Sequence, residues 1–176
     1  AIASAQSKVL IANAYFLPGR RFRKALLAAA KRGVQVTLLL QGRSDHPLLH
    51  YATLSLYDRL LASGVRIFEY EAAYLHAKVA VVDRDWATVG SSNIDPFSLL
   101  LAREANVVVR DAAFAAQLQL RLEAAIAADA REIGAADPHR RSWLARLGSA
   151  MAYGLVRAMI GLTRYGGRQY AGRAGE

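Results

Sequence analysis

The chain has 176 residues, of which 54% are apolar and 21% charged, the size and composition of one folded domain rather than a disordered segment. It contains no cysteine, which excludes disulfides, thiolate metal sites and a catalytic thiol. Its formal net charge of +9 favours an anionic partner such as nucleic acid, anionic lipid or a phosphorylated substrate.

The positive charge is concentrated near the C-terminus. From His139 to Glu176 there are seven arginines and one acidic residue, so this segment carries +6 of the net charge. We therefore divide the chain into a nearly neutral body, residues 1–138, and a basic tail, residues 139–176. The chain opens at Ala1 with neither an initiator Met nor a signal-peptide pattern, and we expect it to be a piece of a longer protein.

The first half of the body alternates apolar strands with amphipathic helices. The patterning predicts strands over 8–17, 34–40 and 65–70, and helices over 20–32 and 48–62. This βαβαβ order predicts an α/β fold with a mixed, largely parallel sheet flanked by helices.

The second half of the body has a different pattern of apolar and polar residues. Period-two patterning from Leu75 to Asn93, with Asp-Arg-Asp in the middle, predicts a β-hairpin. A further strand is predicted over 104–109, and Asp111 is the expected N-cap of an Ala-rich helix reaching about Ile133.

Polar side chains gather at one end of the predicted hairpin. His76 and Lys78 are two residues apart, so they share a face on a strand, and the return strand brings Asn93 to the same end. Open α/β sheets bind ligands at such an edge, so these side chains predict a site. The predicted cluster consists of His76, Lys78, Ser91, Ser92, Asn93, Glu104 and Asn106.

These residue types suit phosphoryl chemistry. A cation from Lys78, an amide from Asn93 and a serine hydroxyl can bind the non-bridging oxygens of a phosphoryl group. Attack by the His76 imidazole on phosphorus would give a phosphohistidine, and a carboxylate such as Glu104 on the other ring nitrogen would fix the tautomer. Because the pattern lacks paired carboxylates, we expect neither a metal ion nor a cofactor.

The spacing His76-x-Lys78-x4-Asp83-x6-Gly90-Ser91-x-Asn93 resembles the HKD signature of the phospholipase D superfamily. The segments 13–22, 41–47 and 75–110 are similar, more specifically, to the C-terminal half of bacterial cardiolipin synthases of the B type. This resemblance implies that His76 and Lys78 are catalytic, that Asn93 contacts the phosphate, and that Asp83, the third member of the motif, is mainly a structural partner. It also implies that no metal is needed.

The superfamily builds one active site from two HKD motifs, with one histidine attacking phosphorus and the other protonating the leaving alcohol. This chain contains one motif, so we expect the second half to come from a missing N-terminal region or from a homodimer partner. The implied activity is phosphatidyl transfer of the cardiolipin synthase type, with phosphatidylglycerol as substrate and a phosphohistidine intermediate. The alternatives are a dimeric, metal-independent phosphodiesterase or nuclease, and a phospholipase D that uses water as the acceptor.

Two residues outside the motif are candidates for the lining of the pocket. Tyr15 lies near the end of the first predicted strand and is expected at the pocket mouth. His46 precedes a predicted helix, where it either lines the pocket or caps the helix.

The tail contains a segment, residues 142–163, with an apolar stripe at helical spacing and arginines on the opposite side. We predict an amphipathic helix on an anionic membrane surface, which places the protein peripherally at the cytoplasmic face of a bacterial inner membrane and disfavours nucleic acid. The alternative is that the stripe packs on the missing half or on a dimer partner. The stripe is Leu144, Leu147, Met151, Leu155, Ala158 and Leu162, opposite Arg146, Tyr153, Arg157 and Arg164.

Overall fold

The computed structural model describes residues 1–134 and 143–162, which contain seven strands, five α-helices and a short 3-10 turn at Ile2–Ser4. The strands are β1 (Lys8–Asn13), β2 (Gln35–Gln41), β3 (Arg66–Tyr70), β4 (Lys78–Val82), β5 (Trp86–Gly90), β6 (Asn106–Arg110) and β7 (Ala130–Glu132). The helices are α1 (Arg20–Lys31), α2 (Pro47–Leu61), α3 (Pro96–Leu101), α4 (Ala112–Asp129) and α5 (Trp143–Leu162).

The strands form one mixed sheet in the order β6-β5-β4-β1-β2-β3-β7. The three strands of the predicted βαβαβ unit are parallel, and every other neighbouring pair is antiparallel. The α/β class is confirmed, but the prediction of a largely parallel sheet is wrong. A parallel return needs a long crossover, whereas the 71–77 connection contains no helix, so β4 starts at the edge where β3 ends and runs back antiparallel to β1.

The core lies on both faces of the sheet, because alternate residues of a strand point in opposite directions. Val9 and Ile11 of β1 belong to the larger cluster, which also contains buried residues of α1, α2 and α5. Leu10 and Ala12 belong to a second cluster, with Leu122 of α4. Burial on both faces is why β1 and β2 appear in the sequence as continuous apolar runs.

Two elements were not predicted from the sequence. Helix α3 begins at the N-cap Asp95, whose buried carboxylate accepts hydrogen bonds from the backbone N–H groups of Phe97 (2.8 Å) and Ser98 (3.1 Å). Strand β7 ends helix α4 earlier than predicted, because Ala130–Glu132 pairs with the free edge of β3. The predicted N-cap Asp111 is confirmed, since its carboxylate accepts from the N–H of Phe114 (2.7 Å).

Helix α5 forms where the tail was predicted to be helical, and it packs along α2. The face that packs is not the predicted stripe: Ser149 and Val156 are buried, whereas Leu147 and Met151 are 50% and 67% exposed. Tyr153 was predicted on the polar side, opposite the apolar stripe. It is half-buried and lies against the core, and its hydroxyl accepts a hydrogen bond from Arg23 (2.9 Å).

The predicted tail continues on both sides of this helix. Residues 139–142 and 163–176, including Arg164, lie outside the described residues. Within residues 1–134 and 143–162, no helix is both long and apolar enough to cross a membrane.

Candidate active site

The site lies at the sheet edge where β1 and β2 end and β4 begins. Asn13, the last residue of β1, pairs with Lys78, the first residue of β4. The buried side-chain oxygen of Asn13 accepts a hydrogen bond from the backbone N–H of Ile94 (3.0 Å), which holds the 91–94 segment against the strand end. The fold therefore brings the start and the end of the HKD pattern together around β1.

His76 and Lys78 occupy different depths at this edge. Lys78 is only 8% exposed and its ammonium donates to the backbone carbonyl of His76 (3.1 Å), while the His76 side chain is exposed. Burial lowers the pKa of Lys78, and the nearby Glu104 carboxylate opposes that shift. A buried ammonium thus contacts the backbone of a residue whose imidazole is accessible, an arrangement suited to an anionic group bound next to a nucleophile.

The two serines and Asn106 form the junction between β5 and β6. The Ser91 hydroxyl accepts from the N–H of Ala105 (3.0 Å), and the Ser92 hydroxyl accepts from the amide of Asn106 (2.6 Å). Gly90 permits this junction, because a Cβ there would come within 2.0 Å of the Asn106 side-chain oxygen. These contacts position the segment that leads to Asn93, and direct phosphate binding by Ser91 and Ser92 stays a prediction.

Glu104 is linked to Asn93 through a serine that sequence reasoning missed. The backbone N–H of Asn93 donates to the Ser98 hydroxyl (2.9 Å), which donates to the Glu104 carboxylate (2.8 Å). Hydrogen bonds from Ser91 and Ser98 lower the pKa of Glu104. The signal for Ser98 was its place in the first turn after an Asp-Pro helix start.

The predicted contact between Glu104 and His76 is not formed in this structure. Within the described residues, no hydrogen bond or ion pair joins the two side chains. Glu104 acts on the site through the loop that carries Asn93 and through the charge of Lys78, so its role in orienting an imidazole stays a prediction.

Asp83 lies at the other end of β4, five residues from Lys78 and roughly 16 Å away for an extended strand. Its carboxylate accepts from the backbone N–H groups of Gln6 (3.1 Å), Ser7 (2.8 Å) and Lys8 (3.1 Å). Burial alone would raise its pKa, but these hydrogen bonds outweigh burial and lower it. The structure does not bring Asp83 together with His76, and its contacts are those of a structural partner.

Tyr15 and His46 both line a pocket of about 590 Å³ that also includes Asn93. The His46 side chain makes no capping hydrogen bond to helix α2, although the residue occupies the N-cap position. Leu48 of α2 and Leu101 of α3 contribute apolar walls. The structure therefore places both candidate residues in a pocket that reaches the phosphate-binding end of the predicted site. No group of three or more potential metal ligands is present in the described ranges.

Comparisons with known proteins agree with this architecture. A family model described as "Cardiolipin synthase, PLD-like domain" matches residues 1–126. Cardiolipin synthase B of Shigella flexneri is 44% identical over 163 residues, covering 91% of this chain and 40% of that protein. The chain therefore spans less than half the length of the curated relatives it matches.

Solved structures share the fold at low sequence identity. The phospholipase D family member Nuc from Salmonella typhimurium matches with a TM-score of 0.60 and 24% identity, over 76% of this chain and 86% of that chain. Phosphatidylserine synthase from Haemophilus influenzae Rd KW20 matches with a TM-score of 0.64 and 12% identity, over 94% of this chain and 42% of that chain. By its match to the family model over residues 1–126, the chain belongs to the phospholipase D-like domain family of cardiolipin synthases.

Proposed function

We propose that this chain is one half of a phosphatidyltransferase that makes cardiolipin. The observation that carries the proposal is a buried Lys78 whose ammonium contacts the backbone of the exposed His76, at the edge that also holds Asn93. The 44% identity to a cardiolipin synthase B over 91% of the chain supports phospholipid as the substrate class.

The proposed reaction has two displacements at phosphorus. The His76 imidazole attacks the phosphorus of one phosphatidylglycerol, so a P–N bond forms while the P–O bond to the glycerol headgroup breaks. A second imidazole gives its proton to the departing glycerol. The hydroxyl of a second phosphatidylglycerol then attacks phosphorus, the P–N bond breaks, and the hydroxyl proton returns to the second imidazole. Lys78 and Asn93 stabilise the charge on the non-bridging oxygens in both steps.

The second imidazole comes from another half, supplied either by the rest of a longer chain or by a second copy. Support comes from the exposed apolar side chains next to the site: Leu99 and Leu101 of α3 and Val107 of the edge strand β6 are 56%, 50% and 63% exposed. An exposed apolar patch at a sheet edge is a typical protein contact surface. The second half would cover this patch and close the site.

The catalytic proposal is tested with the complete gene product that contains this chain, expressed in cells lacking cardiolipin. Lipid mass spectrometry should detect cardiolipin with the wild type and none with His76→Ala, because the nucleophile is removed. The matched control is His50→Ala on α2, which should retain cardiolipin. Equal amounts with and without His76 would exclude its catalytic role.

The same experiment separates the alternatives. Phosphatidic acid as the sole His76-dependent product would indicate a phospholipase D. Cleavage of nucleic acid with no lipid product would indicate the dimeric nuclease.

Helix α5 is proposed to lie on an anionic membrane, at the cytoplasmic face of a bacterial inner membrane. Its inner face packs on α2, so the outer stripe is available: Leu144, Leu147 and Leu155 are 60%, 50% and 52% exposed. Arg157 is exposed too, Arg146 is exposed while it pairs with Asp58 of α2 (3.4 Å), and the helix itself has no acidic residue to repel anionic lipid.

A charge placed on this stripe tests the membrane proposal. Leu147→Glu should weaken binding to phosphatidylglycerol vesicles at least about tenfold. The substitution places an acid next to anionic lipid and removes apolar surface that the membrane would bury. The matched control is Leu120→Glu, which changes a leucine that is 65% exposed on α4. Unchanged binding by Leu147→Glu would refute the proposal and favour the second half as the partner of this stripe.

A further inference from the structure

Tyr15, which lines the pocket, is paired with Asp45, which lies next to the lining residue His46, and the HKD motif contains neither member of the pair. Tyr15 follows β1, Asp45 lies in the loop between β2 and α2, and the Tyr15 hydroxyl donates a hydrogen bond to the Asp45 carboxylate. The His46 ring packs edge-on against Tyr15 with ring centroids 5.2 Å apart. Asp45 lies near enough to His76 for the imidazole to influence its ionisation.

The pair has a defined charge state at neutral pH. Burial and the hydrogen bond to Asp45 raise the pKa of Tyr15, while that same bond is the main cause that lowers the pKa of Asp45. The phenol therefore keeps its proton and donates a hydrogen bond to an ionised carboxylate. The pair offers a ligand one negative charge and the acceptor oxygens of Asp45, whose side chain is 53% exposed.

A second acceptor belongs to Asn93, a residue that lines the pocket. The side-chain oxygen of Asn93 is buried and has no hydrogen-bond partner among the described residues. A buried acceptor without a donor is destabilising, so a ligand that supplies the donor gains affinity.

These acceptors do not suit a phosphate. Phosphate oxygens are themselves acceptors, and a carboxylate repels them. These acceptors instead suit a ligand that brings hydrogen-bond donors to the polar end of the pocket, near the proposed phosphate site at His76 and Lys78.

Building on the proposed function, we propose that Tyr15, Asp45 and the Asn93 oxygen form the subsite for the hydroxyl groups of the acceptor alcohol. That alcohol is the glycerol headgroup of the second phosphatidylglycerol. Its attacking hydroxyl forms the new P–O bond as the P–N bond to His76 breaks, and its proton goes to the second imidazole. Asp45 is a weak base in its ionised, hydrogen-bonded state, so it acts as a positioning residue.

Positioning has a specific consequence for the products. Water and the acceptor hydroxyl compete for the same phosphohistidine, and a site that holds the hydroxyl in place raises its effective concentration. The pair should therefore favour transfer over hydrolysis.

The test uses the complete gene product and vesicles of phosphatidylglycerol, with cardiolipin and phosphatidic acid both quantified. Asp45→Asn should lower the ratio of cardiolipin to phosphatidic acid about tenfold, the effect of losing one hydrogen bond to a charged group. With free glycerol as the added acceptor, the same variant should need a higher glycerol concentration for half-maximal transfer. The matched control is Asp129→Asn, which removes an equal charge from the exposed end of α4 and should leave the ratio unchanged.

Tyr15→Phe removes the hydroxyl that fixes Asp45 and keeps the ring, and it should lower the ratio in the same direction. If Asp45→Asn does not fold, the Tyr15→Phe variant is used to test the proposal. An unchanged ratio, or an equal loss of both products, would overturn this inference and leave the proposed function intact. A wild-type protein that releases phosphatidic acid but no cardiolipin would instead overturn the proposed function, and the inference with it.

Discussion

The two ends of strand β4 carry two members of the same motif in opposite situations. At one end the Asp83 carboxylate is compensated by donors from residues 6–8. At the other end the Lys78 ammonium is buried, has three donors, and gives one to the His76 carbonyl within the part of the chain that the structure describes. The difference teaches that a charge compensated by the fold stabilises it, whereas a buried charge with unused donors is available to an anionic ligand.

The largest effect that would sharpen this comparison is expected from Lys78→Met. Removing the cation should reduce turnover of the complete protein about 10²–10³-fold, the usual effect of losing one stabilising group at an active site. Stability should not fall, because a desolvated charge is replaced by an apolar side chain of similar length. Turnover and thermal melting are compared with those of Lys31→Met at the exposed end of α1. A melting temperature that falls together with turnover would show that Lys78 stabilises the fold, as Asp83 does, and would refute the contrast between the two ends of β4.

Asp83→Asn should show the opposite behaviour. The amide keeps the shape but loses the charge on which the hydrogen bonds from residues 6–8 depend, so unfolding free energy should fall by about 2 kcal/mol. Turnover per folded molecule should be retained. Urea unfolding measures the loss of unfolding free energy, with Asp85→Asn in the same turn as the control. A large drop in turnover with normal stability would show instead that Asp83 belongs to the reacting groups.

A smaller effect is expected from Glu104→Gln. The Ser98 hydroxyl can still donate to the amide oxygen, so the loop that carries Asn93 should keep its position while the negative charge near Lys78 is lost. We expect turnover to fall about tenfold, the loss of one charge-assisted interaction. The measurement is initial rate against pH, and a rate equal to that of the wild type would leave Glu104 without a role in the site.

The smallest effect concerns acid stability. Because the folded state lowers the pKa of Asp83 below its ordinary value of 3.8, the stabilisation by this carboxylate is complete above the ordinary value. It is lost as the pH falls through the lower, folded value. The gap in unfolding free energy between wild type and Asp83→Asn should therefore be constant above about pH 5 and shrink below it. Unfolding curves from about pH 3 to pH 7 test this, and a gap that grows in acid would contradict the assigned sign.

Much of the site was predictable because the motif is local. His76, Lys78 and Asn93 lie within one predicted hairpin and its exit, and hairpin pairing alone brings them to one edge. Ser98 was missed because its role depends on the short helix α3 and on a strand that follows it. Asp45 was missed because the loop after β2 is brought to Tyr15 by the parallel pairing of β1 and β2, a contact across 30 residues.

The sequence by itself determined the motif, the +6 tail and the strands and helices of the body other than α3 and β7, because periodicity, turn residues and charge are local properties. Only the tertiary structure decided that the hairpin joins the sheet antiparallel to β1, since that depends on which edge the connection after β3 reaches. It also decided which face of α5 is free. That helix has apolar residues on two faces, and packing against α2 buries Val156 while leaving Leu147 and Met151 outside.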